Sequence, residues 1–334
     1  MKIETLLANL ALNSDFKDPY GASHFPIYNT ATFDLKKQEG NDRIYDYSRS
    51  DNPTRNALEN IFAKAENGFG CVCTNTGIAA ISVLFETVLK NGDTVLVEND
   101  SYGGTYRLLK VLSEKNNIKT IYTDFTNLNL VEEELKNNEI SLILCESPTN
   151  PSLKIIDLEE IGKLSKKYNT LFAVDNSMAT FVSQKPLDLG ADFSVFSTTK
   201  FISGHGSVTA GAVVSKTKEL HQKVRFFANA YGNAQSPMDV YLTSLGLPTL
   251  VYRMKAQEES ALEIAKFLKN FPQIKSVKFP ALEDFEQYDL AKKQMSIIPA
   301  VLTIQLQDEE TANQLINNTK LFGKKVSSEL RTLG

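Results

Sequence analysis

Between about residue 55 and residue 230 the chain alternates short apolar runs with stretches long enough to form helices. The runs lie near 70–74, 93–98, 119–123, 140–146, 170–175, 193–197 and 211–215. They read as strand candidates, and 170–174, apolar between polar flanks, as a buried strand. Between them, a segment such as 158–168 sets Leu158, Ile161, Leu164 and Tyr168 on one helical face. Strand and helix in alternation predict an α/β fold, a mostly parallel sheet with helices on both sides. From Ser236 the rhythm changes. Residues 237–270 read as predominantly helical, 276–279 and 299–306 as strands, and 308–318 as a helix. The expected division is therefore an arm over 1–52, a sheet domain over 53–232 and a smaller α+β domain over 233–334.

In an open parallel sheet, ligands collect outside the carboxyl ends of the strands, and four such ends carry suggestive residues. Lys200 follows the run at 193–197 and precedes a glycine-rich turn, with Ser197 and Thr199 just upstream. A partly desolvated lysine there loses its proton readily and can form a Schiff base with an aldehyde, while the hydroxyls can hold a phosphate. Asp175 closes the run at 170–174, where a carboxylate can keep a ring nitrogen protonated and make the ring an electron sink. Thr76, Gly77 and Ile78 open a helical pattern whose first N–H groups would attract an anion. Tyr102 follows the run ending at Glu98 and could stack on a flat ring with its hydroxyl free for proton transfer. Singly, each has a plainer reading: a solvated strand end, a turn aspartate, an ordinary capped helix, a loop anchor.

Together, and with the runs Pro26-Ile27-Tyr28-Asn29-Thr30-Ala31-Thr32-Phe33, Tyr47-Ser48-Arg49-Ser50-Asp51-Asn52-Pro53-Thr54-Arg55, Glu146-Ser147-Pro148-Thr149-Asn150-Pro151, Val174-Asp175-Asn176-Ser177 and Ser197-Thr198-Thr199-Lys200 followed by Gly204-His205, the chain resembles the Cys/Met-metabolism family of pyridoxal-phosphate enzymes. That family includes cystathionine gamma-synthase, cystathionine beta- and gamma-lyases, methionine gamma-lyase and O-acetylhomoserine sulfhydrylase. The resemblance covers roughly residues 20–255 and implies an aspartate-aminotransferase-like, fold type I architecture. It also implies roles: Lys200 as the lysine joined to pyridoxal 5'-phosphate, Asp175 as the partner of its ring nitrogen, and Tyr102 as the stacking ring. Thr76, Gly77, Ile78, Ser197 and Thr199 become phosphate holders, and Asn150 a further cofactor contact. In the family, the residues matching Tyr47 and Arg49 reach the phosphate of a neighbouring subunit, so a homodimer or homotetramer with shared active sites is implied. The segment 46–53 is turn-rich and polar, suited to an exposed arm, and an arginine fork suits phosphate.

Composition is compatible with such an enzyme. A chain of 334 residues, 42% hydrophobic and 23% charged, can bury a full core. Its net charge of −4 gives no electrostatic case for nucleic acid. No apolar run reaches the roughly 18 residues of a membrane span. The opening segment, broken by Glu4 and Asn9, reads as a short amphipathic helix and not a signal peptide, so a cytoplasmic location is expected. Cys71, Cys73 and Cys145 cannot make a disulfide framework. Cys71 and Cys73 read as core thiols, since His24, His205 and His221 lack the spacing to complete a metal site. The glycines around His205 lack the spacing of a dinucleotide loop.

The chemistry implied is removal of the substrate alpha proton by Lys200, with Tyr102 able to deprotonate the incoming amine or protonate a leaving group. The expected substrate is a sulfur amino acid or an O-acyl-homoserine, processed by gamma-replacement or by beta- or gamma-elimination. Two departures from the family stand out. Leu245-Gly246-Leu247-Pro248-Thr249-Leu250 replaces the usual Arg-Gly-Leu-Lys-Thr-Leu, removing both basic residues, and Pro248 is expected to end the preceding helical turn. The chain also stops at Gly334, before the family's arginine for the substrate alpha-carboxylate; Arg331 falls too early, and Ser327 or Ser328 is near the family's substrate-contacting serine. The alternatives are a fragment, a different mode of substrate binding, or a catalytically impaired cofactor-binding or assembly protein. Transamination is permitted by the phosphate motifs but disfavoured by the runs around Tyr47 and Tyr102.

Overall fold

A computed structural model describes residues 1–16, 18–38 and 43–320 of the chain. Two short helices, α1 (Ile3–Ala8) and α2 (Leu10–Asn13), precede a 3-10 turn at Leu35–Gln38 and the long α3 (Pro53–Glu66). Strands and helices then alternate as β1 (Gly70–Thr74), α4 (Gly77–Val88), β2 (Thr94–Glu98), α5 (Gly103–Asn116), β3 (Lys119–Thr123), α6 (Leu128–Asn137), β4 (Leu142–Glu146), α7 (Leu158–Lys167), β5 (Leu171–Asp175), α8 (Thr180–Ser183), β6 (Phe193–Phe196) and β7 (Gly211–Ser215). The helices α9 (Lys218–Tyr231), α10 (Pro237–Ser244) and α11 (Leu250–Leu268) lead to β8 (Ile274–Lys278), α12 (Tyr288–Gln294), β9 (Thr303–Leu306) and α13 (Glu309–Asn318).

Local chemistry explains where these elements start and stop. Asn52 caps α3, accepting from Thr54 N–H at 2.9 Å, and Pro53 needs no N–H partner in the first turn. Helix α7 is capped by Asp157, carries Glu159 and Glu160 in its first turn and ends on Lys166 and Lys167, matching charge to the helix dipole at both ends. Helix α9 closes on Gly232 in the left-handed region, φ 76°.

The seven strands form one sheet in the order β1-β7-β6-β5-β4-β2-β3. Only β7 runs against its neighbours, pairing antiparallel with both β1 and β6, while β6, β5, β4, β2 and β3 are parallel in succession. Alternation along each strand divides the core between the two faces. On β1, Cys71 and Cys73 point into one layer with Leu58, Ile61 and Phe62 of α3, whereas Val72 enters the other with Ile81, Leu84 and Phe85 of α4. Each fully buried Leu or Phe contributes roughly 1.5–3 kcal/mol. Both faces are thereby closed, which leaves the strand ends as the place for polar residues.

The mostly parallel sheet is as expected, with seven strands on the seven apolar runs. Beyond it, β8 and β9 pair antiparallel, and Phe279, Leu282, Met295 and Ile298 pack with Ala261 and Ala265 of α11. Here the boundaries move. Pairing begins at Thr303 and not at Pro299, since proline cannot donate to a ladder, and the short α12 had no periodic signature long enough to predict it.

Candidate active site

The parallel strands all present their carboxyl ends on one side of the sheet. Beyond β1, Thr76 caps α4, its hydroxyl accepting from Ala79 N–H at 3.0 Å. Gly77 and Ile78 then head the helix, where no carbonyl lies a turn back to receive their N–H groups. The helix is pressed so closely on the segment after β6 that a Cβ on Gly77 would stand 2.6 Å from Ser197 Cβ and 2.8 Å from its Oγ. A Cβ on Gly211 of β7 would likewise meet Thr76 O at 2.3 Å. Two glycines therefore let three chain segments converge around an anion-attracting helix end.

Lys200 sits in a hydrogen-bonded turn just after β6. Its N–H donates to Ser197 O at 3.2 Å, Ser203 N–H to Thr198 O at 3.0 Å and Gly204 N–H to Lys200 O at 2.9 Å. Thr199 ties that turn to β7: its hydroxyl donates to Ala210 O at 3.1 Å and accepts from Ala210 N–H at 2.9 Å. One strand away, Asp175 Oδ1 accepts from Ser177 N–H at 3.0 Å and from Ser177 Oγ at 2.5 Å. Ser177 Oγ in turn accepts from Ser197 N–H at 2.6 Å. A relay of hydrogen bonds thus joins the carboxylate to the segment beside the α4 terminus. Burial raises the Asp175 pKa, opposed by the two Ser177 hydrogen bonds and by the positive charge of Lys200. The charge of Lys200 thus acts on Asp175 from the end of the adjacent strand.

Tyr102 follows β2 and starts α5, its carbonyl accepting from Thr105 N–H at 2.9 Å and Tyr106 N–H at 3.2 Å. The ring lies back over Gly104, where a Cβ would fall 2.3 Å from Tyr102 Cε1. The buried Asn150 is carried by the loop after β4. That loop is fastened to the end of β2: Asp100 Oδ2 accepts from Thr149 Oγ1 at 2.6 Å and Ser152 N–H at 3.1 Å, while Lys154 Nζ reaches Glu98 Oε1 at 3.0 Å and Asn99 Oδ1 at 2.8 Å. Glu98 is fully buried, so Lys154 neutralises a charge that water cannot reach.

Thr76, Gly77, Ile78, Ser197, Thr199, Lys200 and Asp175 are therefore brought together at adjoining strand ends, with Tyr102 and Asn150 on neighbouring ones. Tyr47 and Arg49 are not gathered with them in the single chain. Both are exposed; Arg49 Nη1 donates to Asn229 O at 2.8 Å near the end of α9, and its guanidinium lies 5.5 Å from the Tyr47 ring. Ser327, Ser328 and Arg331 lie outside the described residues. Sequence reasoning gave no role to Ser177, Gly104 or Lys154. Ser177, a hydroxyl two positions after a strand-end aspartate, was visible as an Asx-type pattern; Gly104 and Lys154 acquire meaning only through contacts distant in sequence.

Pyridoxal phosphate asks for an anion cradle, an amine for its aldehyde and a carboxylate for its ring nitrogen. The residues fit it: amides of Gly77 and Ile78 beside Ser197, the Lys200 amine, and a half-buried Asp175 at the end of the strand next to it, its pKa raised by burial. Comparison with known proteins agrees with that fit. Residues 4–328 match the family described as Cys/Met metabolism PLP-dependent enzyme. Cystathionine beta-lyase of Lactococcus lactis subsp. cremoris (strain MG1363) is 36% identical over 304 residues, covering 90% of this chain and 79% of the relative. L-methionine gamma-lyase of Fusobacterium nucleatum subsp. polymorphum is 38% identical over 322 residues, covering 93% and 81%. The crystal structure of cystathionine gamma synthase from Xanthomonas oryzae pv. oryzae in complex with cystathionine matches with a TM-score of 0.92 at 36% identity, covering 98% of this chain and 84% of that one. Fold, strand-end residues and relatives converge, and the chain belongs to the Cys/Met metabolism family of pyridoxal-phosphate-dependent enzymes.

Proposed function

We propose that this enzyme carries out transsulfuration-type chemistry, acting on a sulfur amino acid or an O-acyl-homoserine by gamma-replacement, as cystathionine gamma-synthase does, or by beta- or gamma-elimination. The observation that carries the reading is Lys200 and Asp175 at the ends of adjacent strands, linked through Ser177 and Ser197, beside an α4 terminus that a single Cβ would obstruct. When bound, pyridoxal phosphate supplies the electron sink for carbanion chemistry. Gly77, Ile78, Ser197 and Thr199, with Thr76 at the cap, would hold its phosphate; Asp175, tuned by Ser177, would hold its ring nitrogen; Tyr102 would cover one face and Asn150 would border the ring. The Lys200 amine takes the alpha proton from the substrate and returns a proton later in the reaction. Tyr102's hydroxyl handles the proton of the incoming amine or of the leaving group.

The exposed Tyr47 and Arg49 are assigned to the phosphate of a second copy of the chain, which makes the working unit a homodimer or homotetramer. Residues 1–52 would form the arm, 53–232 the cofactor domain and 233–334 the smaller domain. Among the described residues no helix is long and apolar enough to cross a membrane, and we assign the enzyme to the cytoplasm. Incubation with cystathionine, methionine and O-acetylhomoserine plus cysteine, with analysis of keto acid, thiol and cystathionine formed, tests the assignment. Sulfur-containing products that vanish in Lys200→Ala are expected. Amino transfer alone, or turnover of none of the three, would overturn it.

A further inference from the structure

Arg253, in the first turn of α11, spends its guanidinium on main chain. Its Nη1 donates to Phe201 O at 3.0 Å, its Nη2 to Ile202 O at 3.2 Å and Gly246 O at 2.8 Å, and its Nε to Thr249 Oγ1 at 3.2 Å. Phe201 and Ile202 directly follow Lys200. The accounting of carbonyls around that lysine is then complete. Thr198 O receives Ser203 N–H, Thr199 O receives Ser203 Oγ at 2.9 Å, Lys200 O receives Gly204 N–H, and the next two carbonyls receive Arg253. They have no further N–H along the turn, because the chain leaves it at Gly204 with φ +64°.

The surroundings are shaped for this contact. A Cβ on Gly204 would lie 2.0 Å from Arg253 Nη1. A Cβ on Gly246 would lie 2.4 Å from Ile202 O and 2.3 Å from Ser203 O. The contact thus occupies the altered run Leu245–Leu250, where Gly246 permits the approach that the side chains at 245 and 248 play no part in. Burial lowers the Arg253 pKa with no carboxylate to offset it. A half-buried guanidinium answered by three carbonyl dipoles and one hydroxyl is costly unless those dipoles need fixing.

We propose that Arg253 is a positioning residue for Lys200: it caps the carbonyls of the turn that carries the lysine and, with Gly246, fixes that turn against the junction of α10 and α11. The inference rests on Lys200 being the cofactor-bearing lysine. Planar, forked donors are required to hold several carbonyls at once, so lysine is a poor substitute.

The test compares parent, Arg253→Met, Arg253→Lys, Gly246→Ala and Lys200→Ala as full-length proteins. Equilibrium dialysis of pyridoxal phosphate against the apoenzyme gives affinity, and steady-state kinetics with saturating cofactor gives kcat and KM. Arg253→Met is expected to weaken cofactor binding about tenfold, the worth of one lost charged hydrogen bond, and to lower kcat while KM stays near the parent value. Arg253→Lys should recover part of both. A purely structural arginine would lower the melting temperature and leave kcat intact at saturating cofactor, which would overturn the proposal. Should Arg253→Met fail to fold, Gly246→Ala and Arg253→Lys decide: the same loss of affinity and kcat supports the role, parent values refute it. Lys200→Ala separates the two levels of inference. If it loses the visible absorbance of lysine-bound cofactor while Arg253 variants behave as parent, only the role of Arg253 falls; if it keeps that absorbance, the assignment of Lys200 falls and this role with it.

Discussion

Replacing Gly77 by alanine should damage the phosphate end of the site far more than it damages the fold. The new methyl group would meet Ser197 Cβ at 2.6 Å and Oγ at 2.8 Å, well inside contact distance, with Ser197 Cα at 3.0 Å. Ser197 cannot simply withdraw, because its N–H is held by Ser177 Oγ at 2.6 Å and its carbonyl by Lys200 N–H. Overpacking of this kind costs about 1–3 kcal/mol, and alanine's better helix propensity returns up to about 1 kcal/mol. With the full return, the net loss of stability is small, about 0–2 kcal/mol. The affinity loss is larger, since the strain falls on groups that face the anion; one charge-assisted hydrogen bond displaced is worth about 1.5–3 kcal/mol, roughly ten- to a hundredfold in Kd. Titration of dialysed apoenzyme with pyridoxal phosphate, with inorganic phosphate as competitor, measures both. A variant that melts lower but binds both ligands within about twofold of the parent would refute the phosphate cradle at α4.

Three other outcomes are expected. Asp175→Asn should raise the melting temperature of the apoenzyme at neutral pH: burial raises the folded pKa of Asp175 above its unfolded value, so its ionised form opposes folding, and the gain should fade as pH falls through the raised folded value and be gone below the unfolded value near about 4. The same variant should lose cofactor affinity, as read by dialysis. Ser177→Ala removes the Oγ hydrogen bond that lowers the Asp175 pKa and leaves the one from the backbone N–H, so the acid limb of cofactor binding should move to higher pH in a titration across pH 4 to 8. Arg225→Met strips Glu59, which is 2% exposed, of its closest cation and leaves Arg55 at 3.8 Å, Asn56 Nδ2 at 3.0 Å and Cys73 N–H at 2.9 Å as its support; a loss of about 3 kcal/mol in denaturant unfolding is expected.

How much of this was legible in the sequence depends on the range of the interaction involved. Runs such as 142–146 and 171–175 are buried on both faces, so their apolar composition announces them, and their last residues mark the strand ends where Asp175 stands. Thr76 and Gly77 were readable because a cap and a helix start are local. By contrast, Arg253 and Phe201 are far apart in the chain, and nothing in the residues around Arg253 signals carbonyls waiting elsewhere. The same holds for Lys154, whose partners Glu98 and Asp124 come from the end of β2 and the loop after β3. Tyr47 and Arg49 show the opposite limit: their motif was evident, yet the single chain turns Arg49 onto Asn229.

The placement of polar groups at the sheet's edge explains why these long-range contacts matter to chemistry. Asp175, Lys200, Tyr102 and Asn150 sit on four separate strand-to-loop transitions, so no single element can hold their spacing. Each transition is instead locked by its own contact: Ser177 between Asp175 and Ser197, Arg253 behind the Lys200 turn, Gly104 beneath the Tyr102 ring, and Asp100 under the Asn150 loop. Proton transfer is sensitive to sub-ångström placement, whereas fold stability is spread over the whole core. Substitutions at these four contacts should therefore reduce kcat out of proportion to their effect on melting temperature, while large-to-small changes in the core, such as Phe62→Ala at about 3–5 kcal/mol, should do the reverse. Measuring both quantities across the two sets separates a site held by its own local locks from one held only by the rigidity of the sheet: in the second case kcat would follow melting temperature throughout.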